Sequence, residues 1–400
     1  MRILITSIVD LKKSAHNSRL HQFLKYLSKR HEITVLSVND WWKAEWDYKS
    51  KEYNKDFEDL FDRISTLYLT EKKISPVLQE VYSIKTANNL LEKIEYRDFD
   101  VHFNYNTLIS GYIVAKKMDS VGVNTIYDIA DDLPEMIRKS PQIPNLLLRP
   151  IGGVIGNLVM KKNIHISKKI TFTTDSLRHS CGIPLNKSEL VSNGVDTELF
   201  KEYPSDEIKK ELGINNNFVV GHVGVFREWI DLEPLFAAVK QLLNENLNIK
   251  LLMVGGGVGY EKNVELAKEY DLLKNVIFTG TVPYTQVPKY ISCMDVCVIP
   301  FKFDAVSQNS LPLKLFEYMA CEKPVISTKV EGIIESVGDM VLYASNTSEY
   351  MSEITKLYND EELRRSMGLK GRRFVKENYN WERIVRKLET TLRIAMGGGQ

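Results

Sequence analysis

Hydrophobic and polar positions change rhythm in blocks along the chain. Near the start, RILIT is a short apolar run, SRLHQFLKYLSKR spaces its apolar residues three and four apart, and ITVLS is apolar again. The outer runs have the length of buried strands and the middle one has the period of a helix. This predicts a strand–helix–strand unit of a parallel sheet. Further strands are predicted at Val101–Phe103, Thr125–Ile129 and Lys169–Thr173. Residues 1–190 therefore read as one doubly wound α/β domain. The stretch Asn39–Lys55, rich in Trp and Tyr, reads as a loop or short helix inserted into it.

At SNGVDTELF, Ser192–Phe200, the alternation pauses. Asn-Gly suits a turn because both residues tolerate positive φ. The alternation then restarts. FVVGHVGVF and IKLLMVGGG each read as a strand running into a glycine turn, with LEPLFAAVKQLL as the helix between them. NVIFTG and MDVCVIPF are further buried strands, LPLKLFEYMA is a helix, and PVIST is the strand after it. Residues 191–375 thus read as a second doubly wound domain. A last helix over 376–396 is free to cross back to the first. Ligands of open parallel sheets gather beyond the carboxyl ends of the strands. Two such domains facing each other imply a cleft with one substrate held on each side.

Composition supports this picture. A chain of 400 residues, 44% apolar and 26% charged, can bury two ordinary cores. A net charge of +1 gives no global field for nucleic acid, which is excluded as a partner. The opening MRILITSIVD reads as a first strand and not as a signal peptide. IGGVIGNLVM is about half of the roughly 20 residues a membrane span needs. Cys181, Cys293, Cys297 and Cys321 form no CxxC and no metal spacing, so free buried thiols and a cytoplasmic location are expected. The closing GGGQ reads as a flexible tail.

Candidate chemistry lies mainly in the second half. The turns at Gly224 and Gly256 either let the backbone approach a ligand phosphate or serve tight-turn geometry alone. More informative is SQNSLPLKLFEYMACEKPVIST, Ser307–Thr328. Ser310 is placed to cap a helix, with Pro312 in its first turn. The amides of Asn309, Ser310, Leu311 and Leu313 then offer free donors. Lys314 and Glu317 share one face at i and i+3. Read as a site, the amides and Lys314 hold a diphosphate and Glu317 accepts from vicinal hydroxyls. Read as surface, the two charges are a solvated ion pair.

The segment resembles the nucleotide-sugar site of the retaining glycosyltransferases of family 4, which have the GT-B fold. Their pattern is E-x7-E, followed by an apolar run. Here S-L-P-L-K-L-F-E-Y-M-A-C-E-K-P-V-I places the second acid at Glu317 and leaves Asn309 at the first. SNGVDTELF is similar to the family's domain-junction motif, and VIFTGTVPYTQVPKYISCMDVCVIPF to the segment that packs the nucleotide base, around Val282. The family's Arg and Lys after the first glycine turn fall at Val225 and Ile230. Arg227 and Lys314 are the local cations left for a leaving diphosphate. Trp229 and Asp231 read as a packing anchor and a helix cap.

In the first half the resemblance is one of pattern. Many relatives have H-D-x-x-P, where this chain has YDIADDLPEM, with Ala130 at the histidine position. Asp131 becomes a catalytic candidate. Asp132 is either an acceptor-side carboxylate or the cap of LPEMIRK. Asp128 reads as structural. His102 in FDVHFNYN is expected at a strand's cleft-facing end, beside the acceptor. Asn17 and Arg19 follow the first strand, where relatives often have a glycine-rich loop; its position beyond a strand's carboxyl end suits a loop lining the acceptor site. His222 reads as a satisfied core residue. From Met136 to Thr174 there are seven basic residues and no acidic one. That 136–174 region either rests on an anionic membrane surface or packs as an ordinary helix with lysines in water.

The resemblance implies two facing Rossmann-like domains of a GT-B α/β fold. It implies transfer of a sugar from a nucleoside diphosphate sugar to a glycan or lipid-linked acceptor, with retention; no metal is needed if Arg227 and Lys314 stabilise the diphosphate, and no cofactor is expected. Non-catalytic binding by the same fold, or epimerisation of a nucleotide sugar, are the alternatives. The missing acid, cations and histidine motivate the first of these.

Overall fold

The computed structural model describes residues 1–13, 18–41, 59–139, 143 and 145–397. Asn17 and most of the 39–55 insert lie outside them. The chain divides into two units, one formed by Met1–Ser192 with the segment from Trp381 onward, the other by Asn193–Asn380.

The first unit is built on a seven-stranded sheet in the order β3-β2-β1-β4-β5-β6-β7. Its strands are β1 Arg2–Ser7, β2 Glu32–Ser37, β3 Ile64–Tyr68, β4 Val101–Tyr105, β5 Thr125–Ile129, β6 Lys169–Phe172 and β7 Ser188–Leu190. All pair in parallel; Ile5, for instance, lies between Val35 and Phe103. Helices cover both faces of such a sheet, which is why the central strands are near-continuous apolar runs. Ile3, Leu4, Ile5, Val35 and Ile126 are fully buried. β3 and β7 are additions to the sequence reading. β3 (ISTLY) exposes Ser65 and half-buries the following residues, as an edge strand does.

The helix Trp381–Ala395 belongs to this unit. Its apolar stripe, Trp381, Ile384, Val385, Leu388 and Leu392, is buried, and it packs against the helix Arg19–Leu27. Phe23 and Trp381 meet edge to face with centroids 6.0 Å apart. Glu389 ties the two together by accepting from Arg30 at 2.6 Å and contacting His31 at 3.0 Å.

The second unit carries a six-stranded sheet in the order β10-β9-β8-β11-β12-β13. These are β8 Phe218–Val223, β9 Ile249–Val254, β10 Val276–Gly280, β11 Val296–Ile299, β12 Val325–Ser327 and β13 Leu342–Tyr343. They too are parallel. The first strand of each unit lies inside its sheet, so the strand order reverses beside it. In the second unit the reversal falls between β8 and β11. A crevice at the carboxyl ends of strands opens at such a reversal. All four cysteines are buried and free. Among the described residues no helix is long and apolar enough to cross a membrane.

Candidate active site

Where β8 ends at Val223, the chain turns through Gly224 at φ +137°. That φ favours glycine, and a Cβ there would lie 2.5 Å from Nζ of Lys314 and push the ammonium aside. Past β9, Gly255 adopts φ +130°, and a Cβ would run into the Gly224 carbonyl. Backbone bonds join the three exits: Gly224 N–H to Val254 O at 2.8 Å, Phe226 N–H to Gly256 O at 2.8 Å, and Gly255 N–H to Gly280 O at 2.9 Å. Gly256 faces Thr281, whose Oγ1 would be 2.9 Å from an added Cβ. Val282 lies two residues past β10, half-buried against the core. The glycine turns thus form one surface at the carboxyl ends of β8, β9 and β10.

Beside this surface stands the helix Leu313–Ala320. It begins later than the sequence suggests, with Pro312 at its cap position and no side-chain cap. Ser310 does not cap it. Its hydroxyl donates to Val306 O at 2.9 Å and its N–H to Ser307 O at 3.0 Å, because a short helix, Ala305–Gln308, ends there and leaves those carbonyls open. The N–H groups of Leu311, Leu313 and Lys314 find no acceptor among the described residues. Asn193 donates to Leu311 O at 2.6 Å and fixes the entry to the helix. Gly332 lets the next helix approach; a Cβ there would meet Ser310 O at 2.6 Å and the Asn309 backbone at 2.9 Å.

The buried face of the helix carries Leu315, Tyr318 and Met319, with Leu311 buried just ahead of it. Tyr318 locks it to β8: its hydroxyl accepts from Val223 N–H at 2.7 Å and lies 3.3 Å from Val223 O. Lys314 and Glu317 are then carried to the strand reversal. Glu317 is 8% exposed and accepts from the Tyr284 hydroxyl at 2.8 Å. Nζ of Lys314 lies 3.3 Å from Nε2 of His222 on β8. Each charge has its own neutral partner, so a solvated ion pair does not describe them.

The electrostatics follow from burial. Burial pushes the Glu317 carboxyl up to about 7, against the Tyr284 hydrogen bond and the Lys314 charge. Burial pulls Lys314 down to about 8, against the attraction of Glu317. His222 is held well below its ordinary value by burial and then by the Lys314 charge, so it is neutral. Its Nδ1 is 3.0 Å from Val298 O, an obligate acceptor, so Nδ1 carries the proton and Nε2 presents a lone pair to Lys314.

Arg227 is exposed, with its guanidinium 5.8 Å from the Trp229 ring centroid. The hydrogen bonds that hold Lys314 and Glu317 do not include it. Asp231 accepts from Glu233 N–H at 3.4 Å, a weak cap. Ile230 is buried and bridges Phe301. The loop that departs from the family's cation pair is therefore pinned by backbone contacts to the exit of β11.

In the first unit, Asp131 is exposed just past β5. Asp132 is a cap: its carboxylate accepts from Glu135 N–H at 3.1 Å and from the Ser180 hydroxyl at 3.2 Å. Two acceptor-side expectations need correction. His102 is the second residue of β4, not its end, and is fully buried with its ring nitrogens 3.1 Å and 3.0 Å from the hydroxyls of Thr6 and Thr125. The strand starts at Val101 and continues through Asn104 and Tyr105, which carry its carboxyl end. Arg19 is 4% exposed and turned inward; it pairs with the buried Asp128, donates to Val191 O and lies over the Phe23 ring. A buried Asp128 without a cation would be costly, and Arg19 supplies that cation. Asn17 lies outside the described residues.

Sequence reasoning did not single out Tyr284, nor the contact of His222 with Lys314. One signal was available for the second. His222 is the next-to-last residue of the strand that runs into the glycine turn, beside the surface that Lys314 reaches.

Comparison with known proteins bears on the family and the fold. Residues 204–374 match the family described as glycosyl transferases group 1. The N-acetyl-alpha-D-glucosaminyl L-malate synthase of Bacillus anthracis is 25% identical over 77% of this chain and 78% of its own. The capsular polysaccharide biosynthesis glycosyltransferase CapM of Staphylococcus aureus is 27% identical over 50% of this chain and about half, 52%, of its own length. The Anabaena protein HepE, solved in complex with UDP, superposes over 98% of this chain and 100% of its own with a TM-score of 0.72 at 16% identity. The segment 204–374 of this chain thus matches the glycosyl transferases group 1, and its two parallel sheets agree with the GT-B fold.

Proposed function

We propose that the chain transfers a sugar from a nucleoside diphosphate sugar to an acceptor hydroxyl in glycan or polysaccharide assembly, with retention at the anomeric carbon. The observation that carries this reading is the placement of Lys314, Glu317 and the free N–H groups of Leu311 and Leu313 at the strand reversal of the second unit. The names of CapM and of the malate synthase support a glycosyl transfer of this kind. HepE, solved with UDP, supports a nucleotide in the site.

In this reading the diphosphate lies against the open amides and Lys314, and Glu317 accepts from the ribose hydroxyls. Val282 and the turn at Gly256 flank the base. As the glycosidic bond to the diphosphate breaks, negative charge grows on the leaving oxygen. A fixed ammonium and backbone amides stabilise that charge without reorganisation. His222 holds Lys314 in place. Arg227 adds charge from the solvent side. Asp131 serves the acceptor side.

The ammonium and amides suffice for the leaving group, so the proposed reaction needs neither a metal nor a cofactor. Release of the nucleoside diphosphate from a panel of nucleotide sugars, followed with and without glycan acceptors and EDTA, tests this. Acceptor-dependent release that survives EDTA supports it. Binding of a nucleotide sugar with no release under any acceptor would instead favour a non-catalytic role.

A further inference from the structure

Along the helix Leu148–Ile166 the ordinary arrangement of a packed helix is inverted. The side that meets the fold is largely small or polar: Gly153, Gly156 and Asn163 are buried there, with Met160 and Ile164. A Cβ at Gly153 would run into Arg138, and one at Gly156 would lie 3.4 Å from Ile137 and Leu108. The glycines thus let this helix lie close on the helix Leu133–Lys139. The large aliphatic residues point the other way. Leu148, Ile151, Val154, Ile155 and Leu158 are each more than half exposed, and Leu147 at the entrance is 80% exposed. Their spacing of three and four puts them on one face.

A row of this size left in water marks a contact surface. Its chemistry indicates which contact. The face is aliphatic, without the aromatic, Met and Arg residues that characterise protein–protein interface cores. Continuing at the same spacing beyond Leu158, the exposed face becomes Lys161, Lys162 and His165, with the exposed Lys168 just past the helix. Lys162 lies over the Tyr112 ring at 5.7 Å, and Lys161 and Lys168 have no carboxylate partner among the described residues. No acidic residue occurs between Met136 and Thr174 to oppose an anionic partner. On the same helical layer, beyond the helix Ile109–Asp119, the helix Pro76–Lys93 exposes Leu78, Val81 and Ile84.

We propose that the outer face of the helix Leu148–Ile166 docks flat on an anionic lipid bilayer, its aliphatic row entering the acyl region and Lys161, Lys162 and Lys168 meeting the headgroup phosphates. This goes beyond the sugar-transfer reading and does not depend on it.

Sedimentation of the full chain with phosphatidylcholine vesicles, with and without about 30% phosphatidylglycerol, tests the docking. Binding to the anionic vesicles is expected to exceed binding to the neutral ones by about tenfold at ~0.1 M salt and to fall at higher salt. Ile151→Ser with Leu158→Ser should lower binding to the anionic vesicles about tenfold. Lys161→Gln with Lys162→Gln and Lys168→Gln should remove the preference for them. These side chains face away from the core, so thermal stability and nucleoside diphosphate binding stay unchanged in both variants. A failure here therefore leaves the transfer reading standing. Absence of vesicle binding overturns the proposal. So does undiminished binding by the serine variant, or a dimer in solution that the serine variant dissociates.

Discussion

Nζ of Lys314 lies 3.3 Å from Nε2 of His222, on a histidine whose Nδ1 is committed to the Val298 carbonyl. The imidazole is thereby fixed as an acceptor. It steadies the ammonium without adding charge. His222→Leu removes the acceptor and is expected to lower kcat about tenfold while changing donor affinity less than about threefold. A neutral acceptor favours the charged lysine, so its loss moves the alkaline limb of the pH profile to lower pH. A merely structural histidine would lower Tm and leave that limb in place.

Lys314→Ala should slow turnover about a hundredfold and weaken nucleotide binding less, because the leaving group's charge peaks in the transition state. Steady-state kinetics beside calorimetry with a nucleoside diphosphate separates the two effects. Arg227→Ala, at an exposed cation, should cost less than Lys314→Ala on both counts.

Glu317 resides at a cost to stability. Its carboxyl is raised from 4.5 to about 7, so between those values the folded chain holds a proton that the unfolded chain has lost. Stability from this group is present below pH 4.5 and declines as pH rises to about 7. Glu317→Gln keeps the Tyr284 hydrogen bond and removes the buried charge. At pH 8 it should raise stability by up to about 3 kcal/mol and weaken donor binding at least tenfold. Thermal unfolding and donor titration on one sample check both signs.

The same two groups set the expected pH dependence. In the proposed reading the donor's ribose needs Glu317 ionised, above about 7, and the diphosphate needs Lys314 protonated, below about 8. A plot of kcat/KM against pH should be a narrow bell with limbs near those values, since it reports groups of the free enzyme. The acidic limb should disappear in Glu317→Gln.

Arg19 and Asp128 form a buried pair inside the first unit, joined by the Thr171 hydroxyl. Arg19→Met leaves the Asp128 carboxylate without its cation and should destabilise the chain by about 3–5 kcal/mol. Nucleoside diphosphate binding, assigned to the second unit, should persist at temperatures where the variant is folded. Chemical denaturation and a nucleotide titration decide it.

Much of this was legible in the sequence. Runs such as IKLLMV and MDVCVI are strands because both their faces are buried, and composition alone conveys that. Lys314 and Glu317 could be read as one face from their spacing. What sequence could not convey was competition for partners. Ser310 has a capping side chain, but a neighbouring short helix offers it an open carbonyl first. Arg19 looks available until Asp128, far along the chain, lies next to it in β5. His102 looks like a strand end because FDVHFNYN gives no mark of where pairing begins. Inverted packing at Gly153 and Gly156 is invisible to hydrophobic period, which counts apolar residues and not the direction in which they point.

In the proposed reading the start of the helix Leu313–Ala320 holds the nucleotide end of the donor. The most direct measurement is a crystal structure of the chain with the nucleoside diphosphate that stabilises it most among those of uracil, guanine and adenine. The account predicts phosphate oxygens within hydrogen-bond distance of Lys314 Nζ and the Leu313 amide, with the ribose hydroxyls on Glu317. A nucleotide bound away from Lys314 and Glu317 would contradict it.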